Sequence, residues 1–87
     1  MIVTLQVTDS TGREFLGVYW EENSKTEHEA TATSYVFENL KAEMEDAGLM
    51  NFWKNNTIHV TVKTSGNMSR KFVFAKYEGS KLFTIIN

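Results

Sequence analysis

At 87 residues, 41% of them hydrophobic, the chain is long enough for one compact core and too apolar for a disordered tail. It holds no Cys, which excludes disulfide frameworks, thiol nucleophiles and Cys-ligated zinc. Net charge is −2 and unevenly spread. Residues 1–50 carry ten acids against Arg13, Lys25 and Lys41, and residues 51–87 carry six bases against Glu78, giving −7 and +5.

In chain order, the opening stretch alternates Val3, Leu5 and Val7 with Thr4, Gln6 and Thr8, the period of two of a half-buried strand. It has neither the basic segment nor the long apolar run of a secretory signal, and no later run is long enough to span a membrane. A cytoplasmic location is therefore expected. Asp9 and Gly12 then supply a turn, and Glu14–Glu21 resumes a strand, so the chain begins with a β-hairpin.

From about Thr26 to Ala47 the period becomes helical. Ala30, Thr33, Phe37, Leu40 and Met44 recur at intervals of three and four. Thr26 and Glu29 have the spacing of a capping box at the start. Gly48 suits the left-handed residue that ends a helix, with Leu49 placed to pack back on Met44. The next segment, containing Phe52 and Trp53, predicts one more helical turn plugging an end of the core.

Three strands follow: one around Ile58, Val60 and Val62, one over residues 69–77, and one over residues 81–87, with turns at residues 64–68 and at Gly79 and Ser80. The order ββαβββ predicts an α+β domain spanning residues 1–87, with an antiparallel β-sheet of about five strands and one long helix packed on one face. The pattern does not decide whether the first strand neighbours the third or the fifth.

The stretch TEHEATATSY, residues 26–35, superficially resembles a metal-binding helix. A zinc-protease helix needs a second His four residues after the first, and Ala32 stands there instead. Capping is the plainer reading. Glu21 and Glu22 are adjacent, so in a strand they point to opposite faces and cannot share a proton. Without a nucleophile elbow or a glycine-rich phosphate loop, no enzymatic activity, metal or cofactor is expected.

Two surfaces remain. On a helical wheel with Phe37 and Leu40 inward, Glu27, Thr31, Tyr35, Glu38, Ala42, Glu45 and Asp46 point outward. The carboxylates around one Tyr suggest an acidic face for a basic protein partner. Candidate contacts are Glu27, Tyr35, Glu38, Glu45 and Asp46.

The second surface is the far side of the sheet. Strand two carries Phe15 and Tyr19 against Leu16, Val18 and Trp20, strand four carries Phe72 and Phe74 against Val73, Ala75 and Tyr77, and strand five carries Phe83 and Ile85 against Leu82 and Ile86. A helix about 10 Å wide cannot cover both sides of a sheet whose strands lie about 4.8 Å apart. A second copy in a homodimer through the sheet, a partner, and the connector around Phe52 and Trp53 are each a cover for the surplus, and the first would make the chain a structural homo-oligomer subunit. A nucleic-acid platform using Lys63, Arg70, Lys71, Lys76 and Lys81 is another. The sequence pI of about 5.6 and the missing signature motifs put nucleic acid second. The leading expectation is a small non-enzymatic protein-binding domain, such as a phage or mobile-element inhibitor that blocks a basic, nucleic-acid-binding surface of a host protein.

Overall fold

The computed structural model describes residues 1–79 and 84–86, the last three by their backbone alone. The chain is α+β. Strands β1 (Ile2–Thr8), β2 (Glu14–Glu21), β3 (Ile58–Thr64) and β4 (Ser69–Phe74) form an antiparallel sheet, and a short β5 (Thr84–Ile86) pairs with β4. The order is β2-β1-β3-β4-β5. The open question of pairing is thus settled in favour of β1 beside β3, with Leu5 opposite Val62. Expected features at residues 80–83 and 87, including Lys81, lie outside the described residues.

Between β2 and β3 the chain runs through α1 (Glu27–Ala30), α2 (Thr33–Asp46) and α3 (Met50–Asn55). Alternation along β1 and β3 puts Val3, Leu5, Val7, Ile58, Val60 and Val62 on one face. They are buried there with Val36, Phe37, Leu40 and Met44 of α2 and Trp53 of α3. Each large apolar side chain fully removed from water contributes about 1.5–3 kcal/mol, so these residues supply the main folding force. Phe37 is the aromatic hub, with ring centroids 5.6 Å from Trp53, 5.9 Å from Phe74 and 6.4 Å from Tyr77. α3 is fastened to the stretch after β4: Trp53 Nε1 donates to the Ala75 carbonyl at 3.1 Å, and the Tyr77 amide donates to the Trp53 carbonyl at 3.1 Å.

Both helix-end signals act as expected. The Glu29 amide donates to Thr26 Oγ1 at 3.1 Å, and the Thr26 amide donates to Glu29 Oε1 at 2.9 Å. Gly48 has φ +71°, its amide donates to the Glu45 carbonyl, and the Leu49 amide donates to the Met44 carbonyl at 2.8 Å. Those two bonds define a Schellman end.

The single long helix, however, is corrected to two. Ala32 is extended, with φ −68° and ψ 144°, and separates α1 from α2. The Thr31 hydroxyl turns back onto the carbonyls of Glu27 (3.0 Å) and His28 (3.3 Å), and Arg70 donates to the Thr31 carbonyl at 2.9 Å. A short hydroxyl side chain competes for backbone bonds in this way, which weakens a helix interior.

The second sheet face is corrected in part, because the connector around Phe52 and Trp53, one of the covers expected, takes up Phe15 and Tyr77. A register shift between Val7 and Thr8 leaves Phe15 as the extra residue of a bulge, and its ring meets Phe52 of α3 at 4.6 Å. Tyr77 lies beyond the end of β4 and meets Trp53 at 4.8 Å. By register, the open face carries Ile2, Thr4, Gln6, Thr8, Glu14, Gly17, Tyr19, Glu21, His59, Thr61, Lys63, Ser69, Lys71 and Val73. Among the described residues that face is mostly polar, with Ile2, Tyr19 and Val73 its apolar members, so β2 and β4 carry less apolar surplus there than the sequence pattern implies.

Candidate functional site

Of the five residues expected on the acidic helix face, three are there. Glu38, Glu45 and Asp46 are exposed on the outer side of α2, opposite the stripe of Val36, Phe37, Leu40 and Met44. Lys41 is the one base in α2. Among the described residues the single ion pair within 4 Å joins the terminal amine to Glu21, at 3.4 Å. The three α2 carboxylates therefore face solvent without a basic partner.

Glu27 is corrected. It lies in α1 and accepts a hydrogen bond from the Thr64 hydroxyl at 2.6 Å, pinning α1 to the β3–β4 turn. Thr31, also expected outward, is fully buried. The helical wheel misplaced both because α1 does not share the axis of α2.

Tyr35 is corrected from an exposed anchor to a half-buried latch. Its hydroxyl donates to Glu22 Oε1, and Lys25 Nζ lies 5.9 Å from its ring centroid. The β2–α1 loop thereby covers part of α2. Burial, and then the Glu22 hydrogen bond, raise the Tyr35 pKa above the usual phenol value. The same bond, helped by Ser24, holds the Glu22 carboxyl below its ordinary range.

Beside the latch lies an open groove of about 360 Å³, lined by Lys25, Glu29, Ala32, Ser34, Tyr35 and Glu38. Ala32, at the helix break, is part of its lining. The capping bonds from Thr26 keep Glu29 ionised to lower pH than a free Glu. The groove carries two carboxylates, Glu29 and Glu38, against one base, Lys25, and joins the outer face of α2 through Glu38.

The basic set is dispersed. Arg70 is corrected from a surface cation to a core-side one: it bonds the Thr31 carbonyl and sits 5.1 Å from the Phe72 ring centroid. Lys63 and Lys71 are exposed on the open sheet face as diagonal neighbours, since Lys63 pairs Ser69 and Thr61 pairs Lys71. Tyr19, 77% exposed, joins that face two strands away. Lys76 is exposed beyond β4. The acids of α2 and the two strand lysines lie on opposite sides of the sheet, while Glu14 and Glu21 of the first half share the open face with Lys63 and Lys71.

His28 is exposed, and among the described residues no group of three or more His, Cys, Asp or Glu could hold a metal ion. No helix among them is long and apolar enough to cross a membrane. Comparison of the chain with protein-family models, with curated proteins and with solved structures gives no match.

Proposed function

We propose that this chain is a small, non-enzymatic protein-binding domain that sets the outer face of α2, with Glu38, Glu45 and Asp46, against a basic surface of its partner. The observation carrying this reading is the set of three exposed carboxylates, free of basic partners among the described residues and facing away from Lys63 and Lys71. Such a field steers a positively charged partner and rejects an acidic one. An inhibitor from a phage or mobile element that occludes a host's nucleic-acid-binding surface is one form of such a domain.

The test compares the wild-type protein with the double variant Glu38→Lys, Glu45→Lys as affinity bait in host lysate, after circular dichroism has shown equal folding. The proposal expects a partner retained by the wild type, lost with the variant and released by added salt. Equal retention by both baits, unaffected by salt, removes the acidic face from the function.

A further inference from the structure

The Met1 amine donates to the Glu22 carbonyl at 3.1 Å, and the Glu22 amide donates to the Met1 carbonyl at 2.8 Å. That reciprocal pair fixes the parity of the whole β1–β2 ladder. With Ile2 opposite Glu21 and Val3 opposite Trp20, the hydrogen-bonded pairs are Val3 with Trp20, Leu5 with Val18, and Val7 with Leu16. Leu16, Val18 and Trp20 spend their backbone groups on β1. Gly17, Tyr19 and Glu21 must then aim theirs outward, at the free edge of the sheet, because β2 is the outermost strand. The β1–β3 side agrees: the Ser65 amide donates to the Ile2 carbonyl at 2.9 Å, so even-numbered β1 residues turn toward β3.

A row of unspent donors and acceptors is a template for one more strand. Its side chains narrow the choice of occupant. On the helix side Leu16, Val18 and Trp20 are only half-buried, which leaves apolar surface for alternate residues of an added strand. On the open side stand Glu21, exposed Tyr19 and Gly17, with Glu14 beyond the bulge. A second copy added antiparallel, with Tyr19 opposite Gly17 of its mate, sets Glu14, shifted one place by the bulge, opposite Glu21 on the open side, and like charges across strands repel. A basic segment meets opposite charge instead. Glu22 also bonds Tyr35, which lines the acidic groove, so the Glu21 end of the edge leads to Glu29 and Glu38.

We infer that the free edge of β2 accepts an extended, basic segment of the partner as an additional strand, its backbone bonding Gly17, Tyr19 and Glu21 and its cations meeting Glu21 and Glu14. This rests on the proposal that the partner is basic, and specifies the form in which part of it binds.

The experiment records amide hydrogen exchange by NMR on the intact chain, with and without a capped octapeptide alternating Lys and Val. The expected signature is alternation. Exchange at Gly17, Tyr19 and Glu21 slows about tenfold or more, while Val18 and Trp20, already bonded to β1, change little. The variant Tyr19→Pro removes an outward N–H and no β1 bond, a position an edge strand tolerates, so it keeps the fold and loses the protection. Uniform protection, or none, overturns the inference. Equal protection by a Glu/Val octapeptide overturns the basic-segment assignment. Alternation that grows with protein concentration and needs no peptide assigns the edge to a second copy and also overturns it. The two proposals fail separately: Glu38→Lys, Glu45→Lys tests the α2 face, and Tyr19→Pro leaves that face untouched.

Discussion

Replacing Arg70 by Met separates a structural cation from a ligand-binding one. In the native fold the Arg70 guanidinium donates to the Thr31 carbonyl at 2.9 Å and lies 5.1 Å from the Phe72 ring centroid. Thr31 is fully buried at the end of α1, so losing the donor strands its carbonyl away from water. A hydrogen bond to a charged group contributes about 1.5–3 kcal/mol, and a cation over an aromatic face about 0.5–1 kcal/mol where water still reaches it. Met retains much of the apolar stem. The two contributions share one group and do not add fully. Because Arg70 is only half-buried, about 2 kcal/mol is the expected loss. For a domain of this size the urea dependence is about 1 kcal/mol per molar, so the midpoint should fall by roughly 2 M. Lys71→Met, on the exposed open face, is the control and should stay within about 0.5 kcal/mol. Urea titration followed by Trp fluorescence makes the comparison. If Arg70→Met shifts the midpoint no more than Lys71→Met, the guanidinium is not holding the helix break, and its assignment to the fold is wrong.

Other perturbations probe the same framework. Thr26→Ala should cost about 1 kcal/mol in the same titration, since the capping box loses its hydroxyl. A Cβ built on Gly66 falls 1.8 Å from Glu27 Oε1, so Gly66→Ala must push Glu27 off the Thr64 hydroxyl. Its cost of about 1 kcal/mol should largely vanish in a Glu27→Ala background, and full additivity in the double-mutant cycle would refute the contact. The carboxyls of Asp9, Glu22 and Glu29 all have lowered pKa values, owing first to Thr11, Tyr35 and Thr26 respectively. A depressed folded pKa gives stability that is complete above the unfolded value, near 4, and is lost as pH falls through the folded one. Thermal melts should therefore hold steady from neutral pH down to about 5 and drop below about 4, with a smaller acid drop in Tyr35→Phe.

The elements fixed by near neighbours were legible in the sequence. Alternation of Val3, Leu5 and Val7 needs only the pleat, the Thr26–Glu29 box spans three residues, and the Gly48 end is a local backbone requirement. The contacts that moved the candidate site are long-range. Glu27 meets Thr64 across 37 residues, and Arg70 meets Thr31 across 39. No periodicity encodes either. The helix break was masked because Ala30, Thr33 and Phe37 keep helical spacing through it. The one local hint was the run of Thr31, Thr33 and Ser34, whose hydroxyls compete with helix bonds. Tyr35 is outward on the wheel as expected, and a loop thirteen residues earlier covers it through Glu22. In the β3–β4 turn the left-handed residue is Asn67, with φ 77°, and Gly66 is instead the place where Glu27 approaches the backbone. By contrast Glu38, Glu45 and Asp46 kept their expected exposure, because α2 itself is regular from Thr33 to Asp46.

Carboxylate footprinting of the complex shows whether the acidic outer face of α2 meets the partner. Side-chain carboxyls are labelled with a carbodiimide and an amine, with and without the partner retained by the wild-type bait, and the labelled positions are read by mass spectrometry. With the partner on the α2 face, labelling falls at Glu38, Glu45 and Asp46. Undiminished labelling at those three, with lysine footprinting showing protection at Lys63 and Lys71 instead, would place the partner on the open face of the sheet and refute an α2 interface.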